Sequence, residues 1–165
     1  MNNEEDKSSE DSSEDWTDEE IEAYNRFVDA VSLDDIKLRS VDAELEELDS
    51  GASEGLRLIG PKFKWQIPEH GDNNVLVAFV RYELESCPNP DETSACLRIV
   101  GEYVIVYSLP MDRETPSAKI AETFSARNAV FNSWPYFREL AQSLGSRMDE
   151  QKIIMPLYRL PKKLS

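Results

Sequence analysis

The sequence contains few of the residues that usually carry catalysis or bind metals. Its 165 residues include one histidine, His70, and two cysteines, Cys87 and Cys96. Two cysteines and one histidine are too few for a zinc site, and His70 lies in a loop-like E-H-G-D-N-N context. Phosphate-binding glycine loops and the common hydrolase and metalloprotease motifs are also absent from the sequence. We therefore predict that the protein is not an enzyme and has no catalytic residues, no metal and no cofactor.

The sequence also lacks a long apolar run. No stretch of about 18 apolar residues is present, so no transmembrane helix and no membrane insertion are expected. The N-terminus shows no basic region followed by an apolar one, so no secretory signal is visible. We expect a cytoplasmic protein. In that compartment Cys87 and Cys96 are predicted to be free thiols, although a disulfide across the turn-rich P-N-P-D-E-T-S-A stretch is geometrically conceivable.

Basic residues are scarce relative to acidic ones, 18 against 33, which gives a formal net charge of −15. Residues 1–20 hold ten acids and one base, a net charge of −9, so residues 21–165 carry −15 − (−9) = −6. A negative surface repels phosphate, which argues against nucleic acid as a partner. The acidity suits basic partners such as positively charged client segments, or it serves solubility alone.

The chain is predicted to form one domain with an acidic extension. Residues 1–15 contain no apolar side chain except Met1 and are expected to be a disordered tail, which leaves 16–165 as a single domain. Residues 16–32 form an added amphipathic helix, because Thr17 and Glu20 make a capping-box pattern and the apolar residues that follow share one face. This face packs on the domain itself or on another chain.

The middle of the chain alternates like β-strands. Ile36–Leu45 predicts one long strand with a bulge or bend at Ser40, and residues 49–60 predict a loop. Alternation over Phe63–Ile67 predicts a half-buried strand that ends at Pro68. Residues 74–86 and 96–109 predict two longer antiparallel strands. They are apolar on both faces, so one face needs a second subunit or a ligand to cover it.

The last third predicts helices and an extended tail. Thr115 and Pro116 favour a helix over 116–128, the periodicity breaks over 129–133, and Pro135 begins a second helix. The apolar stretch K-I-I-M-P-L-Y-R-L-P follows as an extended tail. Strands followed by helices predict the α+β class.

A motif in this last third carries a family resemblance. Residues 128–139 read N-A-V-F-N-S-W-P-Y-F-R-E, in which Trp134, Pro135, Tyr136, Arg138 and Glu139 form an aromatic-Pro-Tyr-x-Arg-Glu pattern. Ser-Arg at 146–147 and the tail I-I-M-P-L-Y follow. Over residues 96–160 the chain resembles the SecB family of export chaperones. Upstream, only the order and length of the strands agree.

The resemblance implies a four-stranded antiparallel sheet followed by two helices, and a homotetramer built as a dimer of dimers. It implies an ATP-independent holdase that binds unfolded polypeptide clients in apolar grooves and keeps them competent for export or folding. Partners in the family include the translocase ATPase, reached partly through an acidic sheet surface, and, for SecB-like members, an antitoxin. The alternative is a dedicated binding protein for one such partner. The acidic tail, the added helix and the short C-terminus depart from the family and put the hand-off to the translocase in doubt.

Large aromatic residues supply the predicted client site, because they offer contact area at low rotamer cost. The predicted client-binding residues are Phe63, Trp65, Phe131, Trp134, Tyr136 and Phe137. All six could instead be ordinary core residues. Ile120 and Phe124 share a helical face and are the predicted oligomer interface.

Overall fold

The computed structural model describes residues 16–45, 55–68, 74–87, 97–110, 115–148, 155 and 157–158. The predictions for the tail 1–15, for His70 and for a bond between Cys87 and Cys96 fall outside these residues or on side chains that are not described. None of the helices within the described ranges is long and apolar enough to cross a membrane.

Four antiparallel strands form one sheet. They are β1 (Ser32–Leu45), β2 (Gly55–Gln66), β3 (Val75–Cys87) and β4 (Leu97–Ser108). Their spatial order is β1-β4-β3-β2, so β4 and β3 are central and β1 and β2 are the edges. The predicted antiparallel pairing of the two longest strands is confirmed, with Val75 opposite Ser108 and Ser86 opposite Leu97. The α+β class and the four-stranded antiparallel sheet are likewise confirmed.

The edge strands contain irregularities that the sequence showed only in part. The predicted bulge in β1 is present between Leu38 and Ser40. In β2, the loop predicted up to residue 60 is wrong from Gly55 onward, since Gly55–Ile59 pairs with β3. A register shift between Ile59 and Lys62 interrupts the alternation of β2, and for this reason the first half of the strand was not predicted. Gly60 adopts a φ of 98°, a conformation that glycine tolerates far better than other residues.

The first helix, α1 (Asp18–Ala30), begins at the predicted capping box. The Thr17 hydroxyl accepts a hydrogen bond from the Glu20 amide at 3.2 Å, and the Glu20 carboxylate accepts one from the Thr17 amide at 2.9 Å. The apolar face packs on the domain itself, where the Phe27 ring meets Phe124 edge-to-face with centroids 5.2 Å apart. Lys119 fixes the start of the helix by donating to the Glu20 carboxylate at 3.0 Å.

The C-terminal helices form one uninterrupted helical run. It consists of α2 (Ala118–Phe124), a π-helical turn (Ser125–Ala129) and α3 (Val130–Met148). The break predicted over 129–133 and the separate helix from Pro135 are therefore wrong, and Pro135 lies inside α3. A π turn contains an extra residue, which shifts the phase of the apolar positions and accounts for the interrupted periodicity.

The core lies between the helical run and one face of the sheet, called here the inner face. Tyr82 is fully buried at its centre, and its hydroxyl lies 2.7 Å from the Val130 carbonyl oxygen and 2.8 Å from the Ser133 hydroxyl. Its ring stacks on Phe137 with centroids 4.8 Å apart. Gly101 permits this close approach, because a Cβ there would lie 3.0 Å from the Phe137 ring.

Candidate functional site

The inner side of edge strand β1 carries a row of apolar side chains that the helices leave uncovered. By register these side chains lie on the same face as the buried residues of β4, since Leu38 is opposite Tyr103 and Leu45 is opposite Leu97. Their exposed fractions are 46% for Leu33 and Leu38, 48% for Val41 and 41% for Leu45. We call these four residues the inner β1 strip.

The backbone of β1 is open along the same edge. Within the described residues β1 pairs with β4 alone, so its outer row of amide and carbonyl groups has no strand partner. β1 is an edge strand of 14 residues with apolar side chains on its inner side and charged ones on its outer side, and an unpaired edge of this length is a template for adding another strand. The inner β1 strip thus combines apolar side chains with an unpaired strand edge.

The inner side of β2, at the opposite edge, is the second uncovered apolar region. Leu56 and Leu58 are 47% and 37% exposed, and they lie on the inner face because they pair with the buried Ser86 and Leu84. Further along the same side, Phe63 and Trp65 are partly buried against the core. We call these four residues the inner β2 strip.

The C-terminal tail brings another apolar side chain to the helical layer. Tyr158 packs on Trp134 with ring centroids 5.7 Å apart, while the neighbouring Leu157 is 75% exposed. The tail therefore presents an apolar residue to solvent while its neighbour is held against the core.

The six predicted client-binding aromatics do not form one groove. Phe131 and Tyr136 are exposed on α3, at 45% and 50%, but five residues of α-helix place them about 140° apart around the axis. Trp134 and Phe137 are buried, at 3% and 0% exposure, and form part of the core under the helix. A client could contact Phe131 or Tyr136 without rearrangement, whereas contact with Trp134 and Phe137 would require the core to open.

The two residues predicted at the oligomer interface pack inside the protomer. Phe124 is 3% exposed and is held between Phe27 of α1 and Tyr107 of β4, whose ring centroid lies 4.9 Å away. Ile120 is partly buried against the same core. In the protomer α1 covers this side of α2, and the assignment of Ile120 and Phe124 to the oligomer interface stays a prediction.

Phe63 and Trp65 of the inner β2 strip were among the predicted client-binding residues, whereas Leu56 and Leu58 were placed in a predicted loop. Leu38, Val41 and Leu45 of the inner β1 strip were used only to predict a strand. Their exposure depends on how far the helical run extends across the sheet. The residue pattern of a single strand does not predict that extent.

The outer face of the sheet carries bases as well as acids, whereas the resemblance implied an acidic sheet surface. At the end of the sheet near Leu97, acids and bases alternate and pair across strands: Arg98 bonds Glu83 at 2.6 Å and Asp42 at 3.2 Å, and Arg57 pairs with Glu85. Partial burial would raise the pKa of Glu83, but hydrogen bonds from Arg98 and from Arg81 outweigh it and hold that pKa below its ordinary value.

Comparison with known proteins gives a structural match and no sequence match. No protein-family model matches the chain, and neither does any curated protein. Among solved structures it is similar to the Mycobacterium tuberculosis SecB-like chaperone Rv1957 in complex with a ChAD peptide from the Rv1956 HigA1 antitoxin. The TM-score is 0.65 at 15% sequence identity, over 84% of this chain and 96% of the other. The resemblance inferred from the sequence is therefore confirmed at the level of the fold, and this chain has the fold of the SecB-like chaperones.

Proposed function

We propose that the protein is an ATP-independent holdase that binds apolar segments of unfolded polypeptides. The observation that carries the proposal is that the apolar inner face extends beyond the helical run at both sheet edges, as the inner β1 and β2 strips. Unfolded chains expose apolar side chains and unpaired backbone groups, and these strips offer a complement to both.

We assign the inner β1 strip to a second copy of the chain. Antiparallel pairing of one β1 with another is symmetric, which is the commonest way in which identical subunits associate. Such pairing would extend the sheet, satisfy the open backbone edge and remove the four exposed side chains from water. Two dimers of this kind would form the homotetramer that the resemblance implies.

We assign the inner β2 strip to clients, with Phe131, Tyr136 and Leu157 as further accessible apolar contacts. Burying a leucine or phenylalanine fully contributes about 1.5–3 kcal/mol, and ordering the client offsets part of that gain. A few such contacts support micromolar binding, which corresponds to about 8 kcal/mol. Because main-chain pairing at a strand edge is indifferent to sequence, one surface can accept many clients.

Suppression of aggregation tests this function. Denatured clients of unrelated sequence are diluted into wild-type protein without nucleotide, and light scattering is followed. We expect less scattering with wild type than with Leu56→Ser/Leu58→Ser. The matched control is Lys62→Ser/Lys64→Ser, since these exposed side chains lie on the outer side of the same strand. Equal protection by the leucine variant and by wild type would remove the β2 strip from the client site.

A dedicated partner is the second candidate function. It is favoured by the complex of the structural neighbour with an antitoxin peptide. Failure of wild type to protect any client in the panel, together with tight binding of a single partner, would establish this alternative. Hand-off to a translocase ATPase has less support, because the charges at one end of the outer face are paired with each other.

A further inference from the structure

The end of the outer face near Val75 and Ser108 differs from the end with paired charges. Here β3 and β4 present half-buried apolar side chains, namely Val77, Phe79, Val104 and Val106. A concavity of about 540 Å³ lies against Phe79, and its charged lining consists of four cations and two acids, namely Arg39, Lys62, Lys64, Arg81, Glu83 and Glu102. We call this concavity the outer groove.

Three of the four cations around the outer groove form no ion pair among the residues that the structure describes, because the two acids of the groove pair with Arg81. Lys62 and Lys64 are exposed and form no ion pair with any residue that the structure describes. The Arg39 guanidinium lies over the Phe79 ring, 5.7 Å from its centroid. Arg81 is the exception, since it reaches Glu83 and Glu102. Three cations without an ion pair thus lie close together on a chain whose net charge is −15, and such a cluster favours an anionic ligand.

We propose that the outer groove is occupied by the acidic N-terminal segment, residues 1–15, of the same chain. This segment holds seven acids and Lys7, a net charge of −6. Its carboxylates would pair with Lys62, Lys64 and Arg39 at the rim of the groove. The proposal concerns a different face from the client strips and does not depend on the proposed function.

Tethering favours this segment over a separate acidic partner. An acidic molecule from solution must approach a chain whose remaining residues, 16–165, still carry −15 − (−6) = −9. A covalently joined segment meets the same repulsion, but its short tether supplies an effective concentration of about millimolar, which a separate acidic partner would have to match in solution. Another acidic ligand could then bind in the outer groove only by displacing the segment.

The length of the segment is sufficient for the contact. The segment joins the described structure at Trp16, which is held by Tyr24 and by the ammonium of Lys119, 4.7 Å from the Trp16 ring centroid. Fifteen extended residues span up to about 50 Å. A strand of 12 residues is about 40 Å long and four strands are about 15 Å wide, so the segment can pass around an edge of the sheet.

Cross-linking in the full-length protein tests the proposal. A photoreactive amino acid replaces Ser9, the sample is irradiated at low salt, and the linked peptides are identified by mass spectrometry. We expect cross-links to Lys62–Gln66 and to Val77–Arg81. A mixture of isotopically heavy and light protein separates contacts within a chain from contacts between chains, and we expect them within a chain.

Charge reversal provides the control. Lys62→Glu/Lys64→Glu should lower the yield of these cross-links by about two- to thirtyfold, the combined effect of two ordinary exposed ion pairs. Salt at about 1 M should lower the yield in wild type as well. Arg26→Glu/Arg147→Glu changes the net charge equally at exposed helical positions and should leave the yield unchanged. Cross-links elsewhere, cross-links between heavy and light chains, or a yield insensitive to the Lys62 and Lys64 reversal would each overturn the proposal.

Discussion

Some residues of the W-P-Y-F-R-E motif belong to the core of the protomer, and others are accessible to a ligand. Trp134 and Phe137 pack against Tyr82, whereas Tyr136 between them points to solvent. The motif was visible in the sequence, but the division between core and surface follows from the phase of α3 above the sheet. Replacing Trp134 would therefore disturb both the core and the binding of clients, whereas Tyr136 can be replaced without opening the core.

Buried tyrosines should make the protein sensitive to alkali. Burial raises the pKa of Tyr107 to about 12, although a hydrogen bond from Asn132 at 3.0 Å works in the other direction, and burial also raises the pKa of Tyr82. A phenol whose pKa is higher in the folded than in the unfolded protein stabilises the fold below pH 10 and loses that contribution as the pH rises toward 12. For Tyr107 the difference corresponds to roughly 2–3 kcal/mol.

The measurement is the free energy of unfolding by urea from pH 8 to 12. We expect a plateau up to about pH 10 and a decline above it, with a shallower decline in Tyr107→Phe. A decline of equal steepness in Tyr107→Phe and wild type would contradict the role assigned to this phenol.

At the scale of elements, the locally encoded parts of the fold were predictable. The start of α1 depends on Thr17 and Glu20 three residues apart, and the bulge near Ser40 shows as a slip in alternation. The first half of β2 was missed because Gly60 and Pro61 interrupt the pattern, although Leu58 pairs with Leu84 on the neighbouring strand β3. The unbroken helical run was missed because the π turn changes the period.

Helix α1 should contribute to the stability of the whole protomer, because it covers Phe124. Phe27→Ala removes the ring that meets Phe124 and should lower the free energy of unfolding by about 1–3 kcal/mol. Glu22→Ala is the matched control on the exposed side of α1, where it breaks only a surface pair with Arg26, and should change stability by less than about 1 kcal/mol. Chemical denaturation of the three proteins measures both effects. Equal stabilities would show that α1 is not docked as described.

At the scale of the whole molecule, the sequence predicted the class, the sheet and the family resemblance. It did not predict which apolar residues stay exposed, because that depends on the sheet order and on how much of the sheet one helical run covers. The order β1-β4-β3-β2 leaves β1 and β2 outermost, and both are apolar on their inner sides. The inner β1 and β2 strips therefore arise from the folded protomer as a whole, and no single segment of the sequence predicts them.

Self-association through β1 is open to a direct test. Leu38→Glu/Val41→Glu places two charges on the inner β1 strip, where both side chains are about half exposed in the protomer, so the fold should survive. An unpaired charge in an apolar contact is costly, so we expect light scattering to give a smaller mass than wild type. Lys37→Glu changes the net charge equally on the outer side of the same strand and should keep the wild-type mass. An unchanged mass in the Leu38/Val41 variant would place the subunit contact elsewhere.

The binding of an unfolded, apolar peptide, measured by fluorescence anisotropy without nucleotide, tests the central claim most directly. We expect a Kd of about 1–100 µM for wild type and binding about ten- to a hundredfold weaker for Leu56→Ser/Leu58→Ser. Lys62→Ser/Lys64→Ser should bind like wild type. Absence of binding to several unrelated apolar peptides, or binding that survives loss of both leucines, would contradict a client site on the inner side of β2.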